Sequence, residues 1–425
     1  MIIHVVQPGE TIYSIADTYG KPADRLIQEN ELDNPNNLAV GQNIIIVYPK
    51  ETYTVKEGDT LESIADAFGV TPMQLLRNNP YLSDREFLNP GETIVISYED
   101  NKIMTISTNG YAYPFININT LKKSLPFLTY LTIFKYNVTA EGELNDIDDI
   151  DAVQTAKEYG VAPIMLVSTL TDAGTADINV TQNILNNEEI QNRLIENILI
   201  KLEEKGYYGL NLDSQFIPSE YRELYVDFAA KVTNRLNTEG YAVLITIAPS
   251  TFELETGVFY EGIDYAGLGQ VTNSTMLLSY AWGYSYELPM STMPFALYRN
   301  LLDYAVTQIP PEKISIGITS IGYVWRLPRM EGVSRASSIS HTNALNLAGQ
   351  VGATIQYDEA SEASFFYSGD NNENIVWFKD SESMNNALKL VPEYGLQGIG
   401  IWNIMYFLSR LFLLLNVQYD IEKVI

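Results

Sequence analysis

The sequence predicts an α/β chain: a (β/α)8 TIM barrel with a small α+β insertion after its seventh strand, preceded by two small βααβ modules. Three observations carry this. The first hundred residues contain one pattern twice, short apolar runs alternate with amphipathic stretches from about Asn101 onward, and the longest gap between those runs follows the seventh.

The repeat pairs VVQPGETIYSIADTYG with YTVKEGDTLESIADAFG, so that Gly9 maps to Gly58, Thr11 to Thr60, Ile15 to Ile64, Gly20 to Gly69 and Asn30 to Asn79. GQNIIIVYP is echoed by GETIVISYE. Each copy reads as a strand, a turn at the glycine, two helices (IYSIADTYG and PADRLIQEN; LESIADAFG and TPMQLLRNN) and a closing strand. The expected modules are 1–48 and 51–98, joined by the linker PKETY. In the third part, 101–425, the candidate strands are KIMTIST, YLTIFKYN, APIMLVST, YGLNLD, AVLITIAP, TMLLSY, ISIGIT and GIGIW. Between them lie helical segments such as NEEIQNRLIENILIKLEEKG and SEYRELYVDFAAKVTNRLNTEG. The insertion is expected at about 323–380, where SISHTNALNLAGQ, ATIQYDE, EASFFYSG and NIVWFKD mix both periods.

Composition excludes several classes of function. The 425 residues are 46% hydrophobic and carry a net charge of −27, which repels nucleic acid and anionic membrane alike. The absence of Cys removes disulfides and thiolate chemistry, and two histidines, His4 and His341, argue against a His-rich metal site, so no metal and no cofactor is expected. The start MIIHVVQPGE lacks the basic and apolar segments of a secretory signal, which points to synthesis in the cytoplasm without a signal peptide. YFLSRLFLLLNV is too short to span a bilayer, contains Arg410 and fits a buried terminal helix.

In a barrel of this kind chemistry sits at the C-terminal ends of the strands, which singles out Asp213, Gln215, Tyr280, Val324 and Trp402. A carboxylate closing an apolar strand, as Asp213 does, needs partners, and function is the commoner reason to keep one there. The 29 tyrosines supply amphipathic surface suited to sugar faces.

The V-x-x-G-[DE]-T-x-x-x-I-A pattern of both repeats, with N-x-x-x and a closing G-x-x-I-x-[IV], resembles the LysM domain. The resemblance implies binding of N-acetylglucosamine polymers, peptidoglycan or chitin, in a groove between two loops: Gly9 to Tyr13 with Asn30 to Leu38, and Gly58 to Leu61 with Asn79 to Leu88. Gly9, Thr11, Asn30, Gly58, Thr60 and Asn79 are therefore candidate substrate-binding positions, although a tight turn, a helix cap and a loop start explain these residue types without any ligand. Two tethered grooves would bind with avidity if both could face one strand of glycan.

YYGLNLDSQF resembles the strand-four motif D-G-x-[DN]-x-D-x-E of glycoside hydrolase family 18, and MLLSYAWGYS, PPEKISIGI and LVPEYGLQGIGIW resemble later segments of its spore-associated branch. A double LysM followed by this barrel is the layout of spore cortex fragment-lytic N-acetylglucosaminidases and their coat relatives. The mechanism the family implies is substrate-assisted. One acid protonates the glycosidic oxygen, and the sugar's own acetamido group attacks the anomeric carbon. Carried onto this chain, the acid's position is held by Gln215, the acetamido-orienting carboxylate is Asp213, Tyr280 assists it, Trp402 floors the sugar subsite, and Asn211 stands two residues before Asp213.

Gln215 has no proton to give at any working pH. Ser214 and Phe216 also depart from the family, and the branch's acidic positions after Tyr280 and in GYVW are Ala281 and Val324. Glu220, Glu253 and Glu255 are candidate substitute acids. Three readings stay open: a peptidoglycan- or chitooligosaccharide-binding protein on a degenerate barrel, an active N-acetylglucosaminidase with altered hydrolysis, and a structural spore-layer protein with protein partners.

Overall fold

The computed structural model describes residues 1–99, 102–171, 177–213, 217–247, 263–278, 295–328 and 336–425. The first repeat comprises β1 (Ile2–Val5), α1 (Ile12–Thr18), α2 (Ala23–Glu29) and β2 (Asn43–Ile46), and the second β3 (Pro49–Thr54), α3 (Leu61–Phe68), α4 (Pro72–Asn78) and β4 (Thr93–Tyr98). In each, two antiparallel strands back a pair of helices. The first helix of each starts at a reciprocal cap: Thr11 with Ser14, and Thr60 with Ser63, each satisfying the other's backbone N–H.

The third part is a closed barrel of eight parallel strands. Its elements run β5 (Met104–Ala112), α5 (Ile118–Ser124), β6 (Tyr130–Asn137), α6 (Ile150–Glu158), β7 (Ala162–Ser168), α7 (Ile178–Asn186), α8 (Glu188–Lys205), β8 (Gly209–Asp213), α9 (Arg222–Thr238) and β9 (Ala242–Ile247). They continue with α10 (Tyr265–Val271), β10 (Ser274–Leu277), α11 (Phe295–Gln308) and β11 (Ile314–Thr319). An insertion then intervenes: β12 (Ile321–Arg326), β13 (Ser337–Ser340), α12 (His341–Gln350), β14 (Gln356–Asp358), β15 (Ala363–Ser368) and β16 (Asn374–Phe378), whose five strands form one antiparallel sheet. After α13 (Ser381–Tyr394) the barrel closes with β17 (Gly398–Trp402), which pairs with both β11 and β5, and α14 (Ser409–Gln418) and β18 (Tyr419–Ile421) end the chain. Leu210 and Leu212 of β8 join the main core that also takes in α8 and α9, so alternation along the strand turns Asn211 and Asp213 to the barrel interior. No described helix is long and apolar enough to cross a membrane.

Both repeats are docked on the barrel. Asn416 of α14 donates to Asn78 Oδ1 at 2.7 Å, and the Tyr159 hydroxyl donates to the carbonyl of Ser83 at 3.3 Å. The first repeat meets the insertion: the Ile355 N–H donates to the Val40 carbonyl at 2.8 Å, and Ala39 is buried among Ala344, Leu345, Ala348, Ile355 and Phe366. Arg410, expected in a buried helix, is buried in α14, and that burial brings its guanidinium down to about 10 against the opposing pull of Glu31, Asp380 and Asp33.

His341, the first residue of α12, packs its ring on Phe378 at 5.7 Å and is held neutral, its pKa lowered well below the usual imidazole range by burial and then by Arg410. The unfolded chain takes up this proton near pH 6.5 and the folded chain does not, so stability is full above that pH and falls as pH drops through it, by up to about 1.4 kcal/mol per unit. Thermal unfolding followed from pH 7.5 to 5 should show that loss, and His341→Phe should flatten it.

Candidate active site

Asp213 is the last residue of β8, and the parallel register sets it beside Ser168, the last residue of β7, and Thr246 of β9. It is 1% exposed. The Ser168 hydroxyl donates to Asp213 Oδ2 at 3.1 Å, so burial does not leave the carboxylate bare. One pleat deeper, Asn211 and Thr246 are mutually bound, the amide donating at 2.8 Å and the hydroxyl donating back to Asn211 Oδ1 at 3.0 Å. These pairs tie three neighbouring strands together under the Asp213 carboxylate.

The opposite wall is aromatic. Register places Trp402 of β17 across from Tyr111 of β5, with ring centroids 6.0 Å apart. The Phe134 ring of β6 meets Trp402 nearly at right angles with centroids 5.0 Å apart, and the Tyr113 centroid stands 6.1 Å away. Trp402 keeps part of its surface open at the mouth, while Tyr111, Leu166, Met276 and Leu278 form the dry layer beneath. Burial raises the Tyr111 phenol above its ordinary range; Thr246 and Asn211 pull it back and the Asp213 charge pushes it further up. Beside this mouth a cavity of about 410 Å³ runs between the ends of β5 and β17 and the insertion, lined by Tyr113, Phe115, Asn403 and Tyr406 on the barrel side and by Ser340 and Asn343 on the other. Phe115 and Tyr406 expose 76% and 64% of their surface there, an apolar rim suited to sugar faces.

Such an arrangement can hold an amide N–H on a fixed, dry carboxylate while an apolar ring supports the sugar. Among the residues marked out from the sequence, Asp213, Asn211 and Trp402 thus converge on one mouth. Gln215 and Tyr280 lie outside the described residues, as do Ser214, Phe216, Ala281, Glu253 and Glu255. Glu220 is exposed on the turn Ser219–Tyr221. Val324 takes a different place from the one expected: its side chain packs against the core of the insertion, with Ala344, Leu345, Phe366 and Phe378, where a carboxylate would be poorly solvated. Among the described residues no group of three or more His, Asp or Glu side chains could hold a metal ion.

In the repeats, Gly9 and Gly58 take positive φ values of +86° and +87° with open space around them, as their turns require. Thr11 and Thr60 are helix caps. Asn30 and Asn79 are fully buried and spend their side chains on their own module. Each donates to a carbonyl of the preceding helix and to one on the closing strand, and each accepts from the Ile45 or Val95 N–H at 2.8 Å. That leaves these two amides committed to the fold of their own module.

Ser168, Thr246, Tyr111 and Phe134 were not marked by the sequence. The one available signal was Ser168, the residue before the last in APIMLVST, a polar side chain near the end of the strand that precedes the Asp213 strand in barrel order.

A model of the glycosyl hydrolases family 18 matches residues 173–406, and a model of the LysM domain matches residues 4–47 and 53–97. The chain is 32% identical to the cortical fragment-lytic enzyme of Bacillus anthracis over 410 residues, 95% of this chain and 94% of that protein. It superposes on the crystal structure of the spore cortex-lytic enzyme SleL of Bacillus megaterium QM B1551 with a TM-score of 0.81 at 31% identity, covering 100% of this chain and 99% of that one. A chitinase from Chromobacterium violaceum, at 20% identity and a TM-score of 0.67 over 74% of this chain, shares the fold.

Proposed function

Because the chain belongs to glycosyl hydrolase family 18 and carries two LysM domains, we propose that it binds N-acetylglucosamine polymers of the peptidoglycan type on a barrel that has lost its proton donor. The observation that carries this is Gln215, two residues after Asp213, where the family's acid would stand. An amide cannot protonate a leaving oxygen, whereas the sugar-holding half of the site needs no proton transfer. Asp213, buried and bound by Ser168, would orient the acetamido group with help from Tyr280, and Trp402 would carry the sugar face, with Asn211 setting the strand beneath. The relatives' names, fragment-lytic and cortex-lytic, support a place on the spore cortex or cell wall and a peptidoglycan ligand.

Those same names favour a second reading, hydrolysis that survives in altered form. One preparation separates the possibilities. Titration calorimetry with chitooligosaccharides and cortex fragments, followed by analysis of released N-acetylglucosamine, should show binding without turnover. PH-dependent release would establish the second reading. Neither binding nor release would leave a structural spore-layer role with protein partners.

A further inference from the structure

The two LysM repeats are nearly superimposable in sequence pattern but not in surroundings. In the first, the end of the loop before the closing strand, Ala39 to Gly41, is packed on the barrel's insertion. The Asn346 amide donates to Asp33 Oδ2 at 3.1 Å, the Val40 carbonyl accepts from Ile355, and Ala39 is 3% exposed inside the insertion's apolar core. Two glycines record how close the approach is. A Cβ on Gly349, within α12, would sit 2.6 Å from the Asn37 carbonyl oxygen, and a Cβ on Gly41 would sit 2.1 Å from that of Ile355. Glycine inside a helix is unfavourable, so Gly349 has a reason to be there only while the first repeat lies against it.

The second repeat shows the converse. Asn89, Pro90 and Gly91, the counterparts of Ala39, Val40 and Gly41, are exposed, and a Cβ on Gly91 would meet nothing within 4 Å. Phe87, in the same loop, is 76% exposed, and Arg85 beside it is held by Glu92 at 2.9 Å over the Tyr81 ring. The N–H groups of this turn are spent within the module, Gly91 on the Val55 carbonyl and Asn89 on Glu92, but among the described residues the Pro90 carbonyl has no counterpart of the bond that Val40 accepts, and it lies next to an open aromatic face, the flat apolar platform that a sugar uses.

We propose that the repeats have divided their work: the first is a strut that locks the insertion against the barrel, and the second is the one that takes an N-acetylglucosamine-bearing strand of peptidoglycan on the Phe87 loop. The second half of this assignment rests on the glycan-binding reading above; the first half does not.

Two measurements on the full chain test it. In sedimentation with insoluble peptidoglycan, Phe87→Ala should cut retention by about tenfold or more, as expected for a lost stacking platform, while Tyr13→Ala, the exposed aromatic of the first repeat, should change it less than about twofold. Equal losses from both variants, or a larger loss from Tyr13→Ala, overturn the division. If the unchanged protein is not retained at all, the glycan reading fails, and the strut is judged by the other measurement alone. Gly349→Ala should lower the unfolding midpoint by about 2–4 °C and speed hydrogen exchange in residues 31–42 as well as in α12. An undocked repeat would give the opposite sign, because alanine then merely improves a helix, and a rise in midpoint with no change in 31–42 overturns the strut.

Discussion

Gln215→Glu raises the release of N-acetylglucosamine from chitooligosaccharides by about a hundredfold over the unchanged protein, the low end of the 10²- to 10⁴-fold that a positioned proton donor supplies. The gain is expected because the groups around Asp213 are in order: Ser168 holds the carboxylate, and Asn211 with Thr246 fixes the strand that carries it. It stays at the low end because an acid must also be tuned into the working range by its neighbours, and Ala281 supplies no charge for that purpose. Adding Ala281→Asp should therefore increase turnover further. Val324→Asp should not, since that side chain packs against the insertion's core, and its expected effect is a lower melting temperature. Product release measured across pH for these variants checks all three. No gain from Gln215→Glu would mean that the rest of the site has been lost with the acid. Robust turnover by the unchanged protein would move attention to Glu220, Glu253 or Glu255.

Trp402→Ala should weaken chitooligosaccharide binding by about 1–3 kcal/mol, or roughly 5- to 150-fold in Kd, the range for removing an aromatic platform under a sugar-sized ring. The ring is braced by Tyr111 on the neighbouring strand and by Phe134, so truncation removes a fixed surface and not a mobile one. Because those neighbours are large and Trp402 is open at the mouth, the fold should tolerate the change, and calorimetry on the full chain reads affinity directly. Unchanged affinity would place sugar binding away from the strand ends and favour the structural-layer role.

Much of this was legible in the residues. YLTIFKYN, ISIGIT and GIGIW are β6, β11 and β17 to the residue, because a strand buried on both faces reads as a bounded apolar run. The first barrel strand was read short. KIMTIST stops at Thr108, yet β5 continues to Ala112, since Asn109 and Gly110 look like a turn. In the fold Gly110 is small for a different reason: a Cβ there would lie 2.7 Å from Leu128. Tyr111 lies in that unpredicted extension. Asp213 and Trp402 were visible because each ends its own strand. Their partners Ser168, Thr246 and Phe134 were not, since which strand ends meet is decided by barrel register and not by sequence neighbourhood. The same holds for Val324, placed by the insertion's own sheet and helix, and for the seam between Ala39 and α12, a contact between segments some 300 residues apart.

The attachment of both repeats to the barrel leaves no work for a tether, and PKETY, expected as the linker, is the body of β3, paired with β4. A flexible tether would let the glycan grip and the barrel mouth search independently, and affinity would grow smoothly with ligand length. Here Asn416 and Tyr159 pin the second repeat while the insertion pins the first, so Phe87 and Asp213 are two marks on one rigid gauge. Oligosaccharides too short to reach between the marks should bind at one or the other with no added benefit, and the first length that spans them should bind abruptly tighter. The protein would thus measure how far along a glycan strand its mouth is set from the point where that strand is held.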